Sequence, residues 1–172
     1  MKQGIPEKIK LYKFATRGLC FSKKYKLRDF PRVSKIASNL DDSVNVDLSF
    51  FLEKNNVPCI IGEIELKLVT TCQRCLCDVD ISLEPKFKLA YLNNEQQGDG
   101  IDSSYETVLI KNEEFSSIEL ITDEILISIP MIPMHKNDCS INIDAEILTN
   151  QKSESPFAIL KQVKAKINKQ EK

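Results

Sequence analysis

Four residues in two separate segments have the types and spacings of a metal-binding set. Two residues separate Cys72 from Cys75, in the sequence Cys-Gln-Arg-Cys, and three residues separate His135 from Cys139. Two thiolates on one turn can face a single tetrahedral ion, and an imidazole with a third thiolate can complete its ligands. If the fold joins the two segments, we expect a structural zinc site with no open coordination position, formed by Cys72, Cys75, His135 and Cys139.

The same thiols allow two other interpretations. A Cys-x-x-Cys pair can cycle between dithiol and disulfide, so Cys72 and Cys75 also fit a thiol redox protein. The pair can equally remain reduced and pack locally. Strand patterns flank the motif on both sides, whereas a redox motif is expected at a strand-to-helix step, and this favours a structural role. With a single histidine and no Gly-x-Ser-x-Gly motif, the sequence predicts no catalytic site.

The charges are divided unevenly along the chain. Residues 1–40 carry 11 Lys and Arg against 2 acids (+9), residues 41–150 carry 7 against 21 (−14), and residues 151–172 carry 6 against 2 (+4), which sums to −1. Basic ends of this kind favour a polyanionic partner, because lysine and arginine release counterions from phosphates. They are equally compatible with ends that only solvate the chain or contact its acidic part.

Within the basic ends, two groups of residues are predicted to contact RNA. The aromatic residues Phe21 and Tyr25 lie among the first group and could stack on bases. They could instead belong to the core side of a first strand. The predicted RNA-binding residues are Arg17, Lys23, Lys24, Lys26, Arg28, Lys161, Lys164 and Lys166.

Alternation of apolar and polar residues predicts three consecutive strands, at 44–50, 64–68 and 79–91, with a further short strand at 107–110. Pro85 lies inside the third run and indicates an edge strand or a bulge there. The connections are short, which favours an antiparallel meander. The Cys72–Cys75 motif falls at the turn between the second and third strands.

Three helices are predicted from apolar spacing and capping residues. The first covers 29–40, where Pro31 suits an initial turn. The second begins after Ser116, with Glu119 completing a capping box, and ends before Pro130. The third begins at Ser155 and carries an apolar stripe on one face and lysines on its later turns.

These elements predict an α+β fold, an antiparallel β-sheet meander with a few packed helices. We expect a basic N-terminal arm at 1–28 that also fits the first strand, and a single domain at 29–168. An acidic loop is expected at about 93–104 and a C-terminal tail at 169–172. The start of the sequence has no apolar secretory region and no run is long enough to cross a membrane, so we expect a cytoplasmic protein with reduced cysteines.

Three motifs in order give the chain a resemblance to a known family. They are Cys72-Gln73-Arg74-Cys75-Leu76, then Asp123-Glu124-Ile125-Leu126 continuing through Ile129-Pro130-Met131-Ile132-Pro133-Met134-His135 to Cys139, and Pro156-Phe157-Ala158-Ile159-Leu160. Together they resemble the YceD family, whose members are known as large ribosomal RNA subunit accumulation proteins.

The resemblance implies an accessory factor for ribosome assembly rather than an enzyme, acting on synthesis, processing or stability of large-subunit (23S) ribosomal RNA in the bacterial cytoplasm. The expected partner is ribosomal RNA or a pre-ribosomal particle. A basic ribosomal protein bound by the acidic part is the alternative partner, and no membrane or small-molecule substrate is expected. The family brings no ligand set, so the zinc prediction depends on the cysteine and histidine spacing alone. The alternatives from other classes are a thiol redox protein and a purely structural, zinc-clipped interaction module.

Overall fold

The computed structural model describes residues 4–98, 100–110 and 112–139. Within this part of the chain the elements follow the order β1, α1, β2 to β8, α2. Their bounds are Lys8–Lys10 (β1), Leu11–Thr16 (α1), Cys20–Lys26 (β2), Ser43–Leu52 (β3), Pro58–Thr71 (β4), Asp78–Leu83 (β5), Lys86–Leu92 (β6), Glu106–Leu109 (β7), Glu114–Ser116 (β8) and Ser117–Ser128 (α2).

A six-stranded sheet dominates the fold, in the order β2-β3-β4-β6-β7, with β5 also paired to β4. Strands β2, β3, β4 and β5 are antiparallel neighbours, which confirms the predicted α+β class and its meander. The two shortest strands, β1 and β8, pair antiparallel in a separate sheet. Strand β7 runs parallel to β6, a pairing that the short connections did not predict.

Of the two predictions for Pro85, an edge strand or a bulge, the bulge is wrong: the register continues without an extra residue from Leu66 opposite Leu83 to Glu63 opposite Lys86, and β5 pairs only with β4 among the described strands. Strand β4 is 14 residues long. Its first half pairs with β6 and its second half with β5. Between them the main-chain N–H of Ile64 donates to the carbonyl of Pro85, 3.0 Å away. Because proline has no N–H to donate, the third alternating run divides there into two strands on the same edge of β4.

The larger part of the core lies on one face of the sheet, beneath the two helices, and a smaller buried cluster lies on the other face, formed by Val57, Cys59, Ala90 and Leu92. Apolar residues at alternate positions of β3 are buried, as the pattern predicts. Ile121 and Ile125 of α2 are fully buried against this face. The predicted N-cap of α2 is confirmed, because the hydroxyl of Ser116 accepts from the N–H of Glu119 at 3.4 Å.

The prediction of a helix at 29–40 is wrong. The segment contains only short 3-10 turns, at Leu27–Asp29 and Val33–Lys35. The later residues of this segment form hydrogen bonds with β4 and not within a helical turn. Ser38 donates its N–H to the carbonyl of Val69, and the Asn39 side chain accepts from the N–H of Val69. Hydrogen bonds to the sheet have therefore replaced those of a helix.

The basic N-terminal residues contribute three elements to the described structure. Strand β1, helix α1 and strand β2 all lie within residues 8–26, and β2 pairs along its length with β3. Strand β2 therefore forms one edge of the six-stranded sheet. No helix in the described part of the chain is long and apolar enough to cross a membrane.

Candidate metal centre and basic edge

The turn between β4 and β5 presents two of the predicted ligands. Cys72 follows β4 directly, and its main-chain N–H donates to the carbonyl of Cys77 at 2.8 Å. The N–H of Leu76 donates back to the carbonyl of Cys72 at 2.9 Å, which tightens the turn around Cys75. Leu76 has a φ of +62°, a left-handed conformation that glycine adopts more easily. The turn thereby brings the side chains of Cys72 and Cys75 to one side.

The segment after α2 brings the other two ligands to this turn. Helix α2 ends before Pro130, and the chain then passes close to the turn. The N–H of Gln73 donates to the carbonyl of Pro133 at 2.8 Å. This contact holds the start of the segment that carries His135 and Cys139 beside the two turn cysteines.

The four predicted ligand atoms lie within 4.8 Å of one another. The sulfurs of Cys72 and Cys139 are 3.8 Å apart, and the Cys75 sulfur is 3.4 Å from Nδ1 of His135. A tetrahedral zinc ion with bonds of about 2.3 Å to sulfur and 2.0–2.1 Å to nitrogen would separate such pairs by about 3.8 and 3.6 Å. The described cluster therefore has nearly the spacing of a closed tetrahedral site.

The ring orientation of His135 also suits metal binding. Its Nε2 lies 3.0 Å from the main-chain carbonyl of Asp78, to which it can donate. In the neutral ring, that hydrogen bond places the proton on Nε2 and leaves Nδ1, which faces Cys75, able to bind a metal. Histidine ligands in metal sites are usually oriented in this way by a hydrogen bond from their second nitrogen. Asp78 contributes through its main chain, so the sequence held no signal that could identify it.

The surroundings favour the thiolate form of Cys72. Burial raises the pKa of the Cys72 thiol, but main-chain hydrogen bonds from Cys75 and Arg74 outweigh it and lower the pKa to about 5. Hydrogen bonds with the thiols of Cys139 and Cys72 raise the pKa of His135 in the metal-free site. Metal ligands are thiolates and a neutral imidazole, so Cys72 already favours the ligating form, whereas the His135 ring would release its proton when a metal binds.

The remaining cysteines lie outside the cluster. Cys20 and Cys77 are exposed and Cys59 is buried. Cys77 is only two positions after Cys75, yet its sulfur contacts the carbonyl of Cys75 rather than the other thiols. Among the described residues, Cys72 has a second thiol neighbour in Cys139, 3.8 Å from its sulfur, in addition to Cys75 of the predicted redox pair.

Five of the predicted RNA-binding residues are exposed around β2. Lys23, Lys24 and Lys26 belong to the strand itself. Lys24 and Lys26 share one face, about 7 Å apart by strand geometry. Lys23 lies on the other face with its ammonium 4.4 Å from the centre of the Tyr25 ring. We call Arg17, Lys23, Lys24, Lys26 and Arg28 the basic edge.

Acidic neighbours partly neutralise one end of the basic edge. Asp41 forms ion pairs with both Lys26, at 3.5 Å, and Arg28. Arg17 and Lys24 make no ion pair within the described part of the chain. The positive charge is consequently most available at Arg17, Lys23 and Lys24.

The aromatic residues of the basic edge belong to the core. Phe21 and Tyr25 are both buried. The Phe21 ring packs on Phe50 with centroids 5.7 Å apart, and the Tyr25 ring packs on Phe30 at 5.4 Å. Of the two alternatives open from the sequence, the core position is the one observed, so these rings do not form a stacking platform for bases. Lys161, Lys164 and Lys166 lie outside the described residues.

Comparisons with known proteins place the chain in one family. The model of the family described as "Large ribosomal RNA subunit accumulation protein YceD" matches residues 60–164. A protein of that name from Haemophilus influenzae (strain Rd) is 26% identical over 174 residues, covering 96% of this chain and 99% of the relative. No solved structure matches the chain. The match covers both cysteine segments and most of the fold, and the chain belongs to the YceD family.

Proposed function

We propose that the protein is an accessory factor, not an enzyme, that promotes the accumulation of large-subunit ribosomal RNA by binding that RNA or its precursor particle. The name of the family and of the Haemophilus relative supports the biological role. The observation that supports direct RNA contact is the basic edge. Three lysines within four positions of an exposed strand carry charge into solvent, and two of them have no acidic partner in the described structure.

The chemistry of this surface favours phosphate contacts over base reading. Lysine ammonium groups are compact point charges that attract phosphates, and they carry little sequence information. The neighbouring aromatic rings are buried, so stacking adds nothing here. Affinity should therefore depend steeply on salt and weakly on sequence.

The metal centre supplies the structural part of the proposal. Cys72, Cys75, His135 and Cys139 would hold zinc as a closed tetrahedral ion, which has no position for substrate. When bound, the ion would join the β4–β5 turn to the segment after α2. It would stabilise a region that has few other main-chain connections, and would take no part in a reaction.

The RNA proposal is tested with two matched triple variants of the full-length protein. Lys23→Gln, Lys24→Gln and Lys26→Gln remove three charges from the basic edge. Lys54→Gln, Lys86→Gln and Lys88→Gln remove three exposed lysines elsewhere in the described sheet and its turns. Binding to 23S ribosomal RNA fragments is measured from 50 to 300 mM salt. We expect the first variant to reduce the salt slope by about 2 to 3 and the second to leave it unchanged.

Equal slopes for both variants and the wild type would show that the basic edge does not contact RNA. Wild-type protein that binds isolated basic ribosomal proteins but no RNA would point to the alternative partner. Sedimentation with precursor particles at low salt provides the second measurement, and a protein that never co-sediments would contradict the particle-binding role.

The metal centre is tested by native mass spectrometry of the purified protein. We expect one zinc ion in the wild type, none in Cys75→Ser, and one in Cys77→Ser, because Cys77 lies outside the cluster. Zinc retained by Cys75→Ser would contradict the proposed ligand set. A disulfide that forms and is reduced reversibly, without bound metal, would support the thiol redox alternative.

A further inference from the structure

The side chain of Arg74 contacts four of the five residues 135–139, the segment that carries two of the metal ligands. Its Nε donates to the sulfur of Cys139 at 3.0 Å, and its Nη1 donates to the carboxylate of Asp138 at 3.2 Å. Its Nη2 donates to the main-chain carbonyls of His135, at 3.3 Å, and Asn137. All three nitrogens of one guanidinium are therefore directed at residues 135–139.

These contacts are important because the segment has few others. Within the described part of the chain, no main-chain to main-chain hydrogen bond involves residues 134–139. The carbonyls of His135 and Asn137 have Arg74 as their only described partner. Besides Arg74, the segment is held by the His135 ring, which contacts the Asp78 carbonyl and the Cys75 sulfur, and by the contact between the thiols of Cys72 and Cys139.

We propose that Arg74 is the positioning residue of the metal centre, which holds residues 135–139 against the β4–β5 turn before any metal binds. This inference rests on the metal centre proposed above. The guanidinium fork presents five N–H donors in a fixed plane, so it can satisfy several carbonyls and a thiolate together. A lysine at the same position would supply the charge without the planar arrangement of donors.

The charge of Arg74 also suits the occupied centre. Three thiolates and a divalent zinc ion carry a net charge of −1, and the adjacent guanidinium compensates for it. The hydrogen bond to Cys139 reaches the ligand itself. Groups of this kind around a metal site typically contribute 10- to 100-fold to metal affinity. Arg74 should therefore affect both the metal-free segment and the retention of zinc.

The first test uses the full-length protein after metal removal. Amide hydrogen exchange of Gln73, whose N–H donates to the carbonyl of Pro133, is compared between wild type, Arg74→Gln and Arg74→Lys. We expect at least tenfold faster exchange in Arg74→Gln and an intermediate rate in Arg74→Lys, because release of residues 135–139 opens this hydrogen bond. Lys13→Gln is the control, because it loses one positive charge from an exposed position outside both proposed sites, and it should exchange like the wild type. Exchange in β3 reports that each variant is folded.

The second test measures zinc retention by competition with a chelator. We expect Arg74→Gln to bind zinc 10- to 100-fold more weakly than the wild type, Arg74→Lys to be intermediate and Lys13→Gln to be unchanged. Exchange of Gln73 that is equally fast in metal-free wild type and Arg74→Gln would overturn the inference. Equal zinc affinity of the wild type and Arg74→Gln would also overturn it.

The two proposals fail separately. Wild-type protein without zinc in native mass spectra would contradict the metal centre, while the exchange comparison in metal-free protein would still decide the role of Arg74. Zinc bound normally by the wild type, together with unaltered exchange in Arg74→Gln, would contradict only the positioning role.

Discussion

The metal centre and the basic edge differ in how their residues come together. The four metal ligands occupy positions 72 to 139 of the sequence, yet their ligand atoms lie within 4.8 Å of one another. The basic edge is formed by neighbours in sequence, most of them in one strand, with their charges directed at solvent. The first region depends on a convergent geometry and the second on the number of charges.

This contrast predicts two kinds of response to mutation. Loss of one ligand from a convergent site removes a bond that no neighbour can replace. Loss of one lysine from a row of charges leaves the others in place, so the effect should be graded. The predictions that follow proceed from the largest expected effect to the smallest.

Removal of the metal should have the largest effect, and it should stay local. If zinc contributes about 3 kcal/mol, its chelation lowers the thermal midpoint by roughly 10 °C, given 2–4 °C per kcal/mol at this chain length. Amide exchange should accelerate at the hydrogen-bonded amides of Cys72, Gln73 and Leu76 but not in β2. RNA affinity measured below the new midpoint should change less than twofold. A large parallel loss of RNA binding would show that the two regions are coupled.

Substitution of a single ligand should be nearly as severe. His135→Ala removes the nitrogen that faces Cys75 at 3.4 Å. Groups around a metal site already contribute 10- to 100-fold, so loss of a ligand itself should weaken zinc binding by more than about 100-fold. Chelator competition measures this, with Lys136→Ala, an exposed neighbour, as the control. A loss below tenfold would argue against histidine ligation.

Single lysine substitutions should produce small and unequal effects on RNA binding. Lys24→Gln should reduce the salt slope by about 1, because the ammonium has no acidic partner in the described structure. Lys26→Gln should reduce it by less, since Asp41 already neutralises part of that charge. Fluorescence titrations at four salt concentrations resolve the two slopes. The reverse order would place the RNA nearer to the 3-10 turn at Leu27–Asp29.

The smallest expected effect is a gain. Asp41→Asn releases both Lys26 and Arg28 from their ion pairs and should raise RNA affinity about twofold at low salt. Its cost in unfolding free energy should stay below about 1 kcal/mol, because the pairs are exposed and screened. Titration with RNA and chemical denaturation measure the two quantities. Weaker RNA binding by this variant would contradict the location of the basic edge.

Much of the sheet could be predicted from short-range patterns. The alternation in β3 is visible in the sequence because only one face of that strand is buried. The N-cap at Ser116 and the division of the third run at Pro85 follow from the chemistry of single residues. The 29–40 segment shows the limit of such patterns. Its apolar spacing fits a helix, but Ser38 and Asn39 form hydrogen bonds with β4, which the local sequence could not indicate.

In the candidate sites, too, local sequence predicted some features and only the fold showed the others. Residue types and spacing named the four possible metal ligands, and left open a thiol redox pair or reduced thiols that pack locally. They did not indicate that Arg74 would contact the segment 135–139 or that the Asp78 carbonyl would orient the His135 ring. For the basic edge, composition located the charges but left open whether Phe21 and Tyr25 would face RNA or the core.

The sequence by itself determined the strand positions in the centre of the sheet, the start of α2, the uneven distribution of charge and the identity of the possible ligands. These properties depend on side-chain chemistry and on periodicity within a few residues. Only the tertiary structure decided that the turn after β4 meets the segment after α2. It also decided which aromatic rings are buried and that Lys26 and Arg28 pair with Asp41. Such contacts join residues far apart in sequence and arise from packing of the whole domain, which no local pattern records.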